Sequence, residues 1–95
     1  MVAYIVFQEN IFDEDVFGEY KKLSPVTVEK FGGRFVVRGG PIEKLEGKMA
    51  FERVVIIEFP TIDAARAWHS SSEYAPAKAM RQKISEGDVF LVEGS

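Results

Sequence analysis

The chain predicts an α+β sandwich built in the order β-α-β-β-α-β, and three observations carry that prediction. Short runs rich in β-branched and aromatic residues stand at residues 2–7, 34–38, 52–59 and 89–92. Two stretches with apolar residues at helical spacing lie between the first and second runs and between the third and fourth. Glycine or proline punctuates the changes of period, at Gly32-Gly33, Gly39-Gly40-Pro41, Pro60 and Gly87. Right-handed crossovers on this order give a four-stranded antiparallel sheet with both helices on one face, the ferredoxin-like sandwich. With 95 residues, one domain spanning residues 1–95 is expected.

The first strand, Val2-Ala3-Tyr4-Ile5-Val6-Phe7, is apolar on both faces. Asp13 offers an N-cap, and Asp13, Glu14 and Asp15 put negative charge in a first helical turn. Val16, Phe17, Tyr20, Leu23, Val28 and Phe31 then recur at helical spacing, so the first helix spans about residues 13–31. Pro25 predicts a kink or break near Leu23-Ser24, because it lacks a backbone donor and crowds the preceding turn. Gly32 suits the position after the helix, where positive φ is common. The second and third strands, residues 34–38 and 52–59, read as a long-armed hairpin. Thr61 or Asp63 opens the next helix, whose buried side is Ala64, Ala65 and Trp68. The run Ser70-Ser71-Ser72-Glu73 interrupts and restarts it: Ser70 with Glu73 fits a capping box, and Ser71 is an alternative cap. Tyr74, Ala77, Met80, Arg81 and Ile84 carry the second segment, which Gly87 ends, and residues 89–92 form the last strand.

A sheet with one solvated face normally shows a polar alternate row. Here Val2, Tyr4 and Val6 oppose Ala3, Ile5 and Phe7 on the first strand, and Val54 and Ile56 oppose Val55, Ile57 and Phe59 on the third. A second apolar face of this size exceeds what monomers expose, and a second copy is its simplest cover. The expectation is a homodimer through the sheet face. Parity places Phe35 and Val37 towards the helices, and Arg34, Val36 and Arg38 in the space between sheets. Glu58 shares that face, and pairing Arg38 near Val54 brings Glu58 opposite Arg34.

These residues resemble a known family. Gly32-Gly33-Arg34-Phe35-Val36-Val37-Arg38-Gly39-Gly40, Glu52 to Pro60, Ala64-Ala65-Arg66-Ala67-Trp68, Ser71-Ser72-Glu73-Tyr74 and Val92-Glu93-Gly94 are similar, in order, to the domain-of-unknown-function 1330 family. The resemblance covers nearly the whole chain and implies a dimeric α+β barrel. It implies no activity. His69 follows Trp68 where the family more often has a second aromatic, and Ser72 stands where proline is common.

The candidate ligand-binding residues are Arg34, Arg38, Glu58, Tyr4, Tyr20, Trp68, Ser71 and Tyr74. Arg34 and Arg38 with Glu58 form either a clamp for a carboxylate or phosphate or an ion pair that fixes a dimer. The three tyrosines offer phenol donors or simply satisfied hydroxyls. Ser71 offers a hydroxyl and free backbone amides at the helix restart, or plain N-capping. Trp68 reads as core or pocket wall. His69, the one imidazole, sits about 100° around the helix from Trp68, which turns it towards solvent. Asn10, Trp68 and His69 look superficially like the Asn, Trp and His of haem-degrading relatives, but adjacent Trp and His do not readily share a pocket wall.

Composition narrows the classes. There is no cysteine and a single histidine, which leaves no metal-ligand set, and no cofactor is expected. The glycine pairs match neither a P-loop nor a dinucleotide fingerprint. A net charge of -3 argues against nucleic-acid binding. The opening strand has neither a signal-peptide layout nor the length of a membrane span, so no membrane partner and a cytoplasmic location are expected. The functional reading is a homodimer that binds a small anionic or oxygen-rich metabolite in the barrel cavity, with enzymatic chemistry of oxygenase or isomerase type needing no cofactor. The alternative is a non-catalytic ligand-sensing or partner-binding dimeric module.

Overall fold

The computed structural model describes residues 1–95. Its elements are β1 (Ala3–Ile11), α1 (Glu14–Lys30), β2 (Arg34–Arg38), β3 (Arg53–Phe59), α2 (Ile62–His69), α3 (Ala75–Lys83) and β4 (Ser85–Glu93). The four strands form one sheet in the order β2-β3-β1-β4, with every neighbouring pair antiparallel. This is the ferredoxin-like arrangement, with the second helical region divided into α2 and α3.

The core lies between the helices and one face of the sheet. Ala3, Ile5 and Phe7 of β1 and Val55, Ile57 and Phe59 of β3 alternate inwards, as the period of two requires. The helices set Phe17, Tyr20 and Val28 of α1, Ala65 and Trp68 of α2, and Tyr74 and Ala77 around α3 against them. Burying this apolar surface is the main favourable term in folding.

Helix α1 runs unbroken through Pro25. The expected break is absent because Phe17, Tyr20, Ser24 and Val28 share one buried stripe, which holds both halves of the helix in place. The stripe passes through Ser24; Leu23, expected on the apolar side, faces outwards. At the N-terminus the Asp13 carboxylate accepts from the Val16 amide at 3.0 Å. Thr61 caps α2, accepting from the Ala64 amide at 3.1 Å. Of the serines after α2, Ser71 is the one that caps: its hydroxyl accepts from the Tyr74 amide at 3.1 Å and donates to the Trp68 carbonyl at 2.7 Å.

Two neighbouring strands, β1 and β4, are longer than their apolar runs. β1 continues past Phe7 through Gln8, Glu9 and Asn10 to Ile11, and β4 begins at Ser85. Gly87 therefore does not end a helix; it lies inside β4, paired with Glu9. Its φ is +147°, and a Cβ placed there would come within 2.0 Å of the Gln8 carbonyl oxygen. Only glycine allows β4 to approach β1 so closely. We expect Gly87→Ala to lower stability by about 1–3 kcal/mol through backbone strain alone. Urea denaturation measures it, and faster exchange of the β1–β4 amides places the damage at this junction.

The second correction concerns β2. Arg34 pairs with Glu58 and Phe35 with Ile57, as parity requires, but Val37 pairs with Ile56 and Arg38 with Val55. Val36 is the extra residue of a β-bulge, and everything after it changes face. Val37, expected among the inward residues, opposes Ile56 on the open face. Arg38, expected beside Arg34, lies on the helix side with its guanidinium 4.1 Å from the Phe35 ring centroid. The open face keeps a solvent-exposed apolar row in Val36, Val37, Phe90 and Val92, beside the half-buried Val6 and Ile56.

Candidate functional site

The expected constellation divides between the two faces. Arg34, Glu58 and Tyr4 lie on the open face, Glu58 being paired with Arg34 on one side and Tyr4 on the other. Arg34 Nη2 meets Glu58 Oε2 at 3.2 Å. The arginine is largely exposed, so this pair contributes little to stability. Arg38, Tyr20, Trp68 and Tyr74 lie on the helix side. Ser71 is occupied as a cap at the turn between α2 and α3. Asn10 accepts from the Glu52 amide at 2.9 Å and holds the end of the long connector.

The helix side carries a polar network that follows from extending each element by its own period. Glu9 continues the inward row of Ala3, Ile5 and Phe7 and is only 3% exposed. Arg81 stands one turn beyond Ala77 on the inward stripe of α3 and is 5% exposed. Arg81 Nη1 lies 3.8 Å from Glu9 Oε1, an ion pair longer than a hydrogen bond. Arg81 Nε donates to the Tyr74 hydroxyl at 3.3 Å, and the Tyr74 and Tyr20 hydroxyls share a hydrogen bond of 2.8 Å. Trp68 backs the network. Its ring stacks on Tyr74 with centroids 4.0 Å apart, and its indole N–H donates to the Thr27 hydroxyl at 2.9 Å.

Glu9 is the least satisfied member. Its Oε1 is buried and accepts no hydrogen bond. Burial raises its pKa above the ordinary carboxylate value, and the Arg81 and Arg53 cations offset only part of that rise. Burial also opposes charge on Arg81, yet Tyr74, Tyr20 and Glu9 outweigh it and hold the guanidinium proton more tightly than usual. Burial pushes both phenols upwards, reinforced at Tyr20 by its contact with Tyr74.

This network opens on a groove beside β4. An open cleft of about 380 Å³ is lined by Glu9, Arg81, His69, Glu86 and Val89. A second, more apolar cleft of about 360 Å³, floored by Ile5, Val89 and Leu91 with Ala65 above, shares His69 and Val89 with it. His69 therefore does line a pocket beside Trp68, contrary to expectation. The β4 edge reaches far enough under α2 for a side chain turned off the Trp68 stripe to meet the groove. Burial, then the Lys78 and Arg81 cations, push the His69 pKa down, so its imidazole is neutral at physiological pH.

Sequence reasoning missed Glu9, Arg81 and Arg53. Glu9 was hidden because the first strand was ended where its apolar run ends. Arg81 stands in the sequence only as one of the residues that carry the second helical segment. Its signal was the stripe Tyr74, Ala77, Arg81, at helical spacing on the buried side.

Fold and site together define a small ferredoxin-like α+β protein with a buried acid–base network under a groove. The chain belongs to the Domain of unknown function (DUF1330) family, which matches residues 2–95. No curated protein matches it. Among solved structures it is similar to methylated RPA0582 of Rhodopseudomonas palustris, with a TM-score of 0.80, 17% identity, and coverage of 99% of this chain and 81% of that one. It is also similar to a dimeric ferredoxin-like protein of unknown function from Jannaschia sp. CCS1, with a TM-score of 0.73, 16% identity and coverage of 100% and 99%. A third is SnoaB, a cofactor-independent oxygenase from Streptomyces nogalater, with a TM-score of 0.66, 12% identity and coverage of 99% and 93%. No helix is long and apolar enough to cross a membrane.

Proposed function

We propose that this protein is a homodimer that binds a small oxygen-bearing organic molecule in the groove between α2, α3 and β4, and moves a proton on it without a cofactor. The observation that carries this reading is the buried Glu9 carboxylate, whose Oε1 stands 3.8 Å from Arg81 Nη1 and accepts no hydrogen bond, lining a cleft beside Arg81 and His69. A carboxylate whose pKa is raised by burial is a better general base than an exposed one. Arg81 stands next to it as a fixed cation for the negative charge that proton removal leaves on the substrate. The apolar half of the groove suits the body of the molecule, and neutral His69 offers one donor and one acceptor between the two halves.

The fold supports chemistry of this kind, since the structurally similar SnoaB is a cofactor-independent oxygenase. Dimerisation is supported by the exposed apolar face of the sheet and by the dimeric neighbour from Jannaschia. The groove replaces the inter-sheet cavity as the ligand site, because the bulge leaves Arg34 without Arg38 on the open face.

Native mass spectrometry of the untagged protein tests the reading. The expected result is a dimer with a reproducible added mass, reduced in Glu9→Gln while the dimer persists. Incubated in D2O, the wild type should exchange a carbon-bound proton of the identified molecule, and Glu9→Gln should not. A monomer would overturn the dimer, and equal exchange by both proteins would overturn the role of Glu9.

A further inference from the structure

On the other flank of Glu9 from the groove, between α1 and the β2–β3 hairpin, three cations meet around a single carboxylate. Lys21, Arg38 and Arg53 line one narrow slot that also touches Glu9. None of the three takes part in an ion pair within the chain, and no side-chain nitrogen of theirs donates a hydrogen bond. Arg53 Nε is buried with no acceptor. We propose that Arg38 and Arg53, assisted by Lys21, form an oxyanion site that takes the carboxylate or phosphate head group of a small molecule.

Three features of the backbone and packing point to a built site. The bulge at Val36 moves Arg38 from the open face to the helix side, where it shares a face with Arg53 on the neighbouring strand. Gly39 has a φ of +72°, and a Cβ there would lie 2.4 Å from Arg53 Nη1, so the glycine makes room for the guanidinium. Each guanidinium rests on an aromatic ring, Arg38 at 4.1 Å from the Phe35 centroid and Arg53 at 4.7 Å from that of Phe17. Stacking fixes the plane of an arginine while leaving its in-plane N–H groups free, the arrangement that suits bidentate recognition of a carboxylate or phosphate.

The slot itself holds only about 20 Å³, so the site takes a head group at its mouth, where Arg38 and Lys21 are exposed, and leaves the body of the molecule outside. Glu9 pairs with Arg53 across the β1–β3 ladder, and Glu14 and Glu52 line the adjoining cleft beside Arg53. Within the slot three cations face one carboxylate whose own pKa is raised, which leaves positive charge in excess.

The test is a titration of nitrogen-15-labelled protein with sodium phosphate and, separately, sodium acetate, at constant ionic strength maintained with sodium chloride. The Nε–Hε signals of Arg38 and Arg53 should shift with saturation. In Arg38→Gln and Arg53→Gln the affinity should fall about tenfold or more, the loss expected for a charge-assisted hydrogen bond. Saturation by phosphate alone assigns a phosphorylated head group, and saturation by acetate alone a carboxylate; either supports the site. Linear shifts with both anions, or unchanged saturation in the variants, would overturn it. Arg38 is exposed, so Arg38→Gln serves as the test should Arg53→Gln fail to fold. The groove reading stands or falls separately: Glu9→Gln removes the one carboxylate that lines the slot, so it should tighten the anion titration while abolishing exchange in the groove.

Discussion

Trp68→Ala should destabilise the protein by about 3–5 kcal/mol, a large fraction of what a domain of this size has. The indole is fully buried and joins the layers: it meets Phe7 of β1, Phe59 of β3 and Tyr74 beside α3 within 4.0–6.3 Å between ring centroids. Truncation loses its transfer free energy and leaves a cavity that three rings cannot collapse to fill. It also removes the indole donor from the Thr27 hydroxyl, which keeps only its bond to the Ser24 carbonyl, and the surface on which Tyr74 stacks, so the Tyr20–Tyr74–Arg81 chain should loosen as well. Guanidinium denaturation read at two probes, tryptophan-independent circular dichroism and the Tyr20 and Tyr74 ring signals, checks both effects. A loss below about 1 kcal/mol would contradict the packing described here.

Arg81→Met should cost about 3–5 kcal/mol at pH 8, because it leaves the Glu9 carboxylate buried without its nearest cation. Methionine replaces the aliphatic stem, so the loss reports charge rather than volume. The sign of the pH dependence follows from the direction of the Glu9 shift. Its folded pKa lies above the ordinary value of 4.5, so the folded state binds the proton more tightly than the unfolded one. Its contribution to stability is whole below 4.5 and declines as pH rises through the folded pKa. Removing Arg81 takes away a contribution that lowers this pKa, which widens the window upwards and deepens the loss above it. The variant should therefore recover much of its stability in mild acid. At pH 8 the double variant Glu9→Gln/Arg81→Met should recover most of what the single variant loses. A loss independent of pH, with no recovery in the double variant, would show that the two side chains are not energetically coupled.

Much of the fold was legible because strands and helices announce themselves by period. Ala3, Ile5 and Phe7, or Val55, Ile57 and Phe59, specify a buried face without any knowledge of their neighbours. Glu58 opposite Arg34 followed from parity and a sensible hairpin. What was not legible depends on long-range structure. Glu9 and Arg81 are charged residues on inward rows, and only the approach of α3 to β1 makes their burial tolerable. Gly87 looks like a helix terminator until β4 is seen pressed against Gln8. Arg38 is the sharpest case: parity is reliable only while the ladder is regular, and no residue in Arg34-Phe35-Val36-Val37-Arg38 marks the position where it slips. One residue's worth of register therefore divides the expected arginine pair between the two faces of the sheet.

That slip also separates the two sides of β2 as addresses for charge. Alternation is inverted across Val36: Arg34 before it and Val37 after it face the outer surface, Phe35 and Arg38 the interior, so Arg34 and Arg38, four positions apart and of like parity, serve different compartments of the same molecule. Within this hairpin a change of chain length by one is enough to carry Arg38 from one compartment to the other with no change of amino acid. Relatives that differ by a single insertion or deletion between the two glycine turns would then differ in which surface they electrify, while their sequences there remain almost identical in composition.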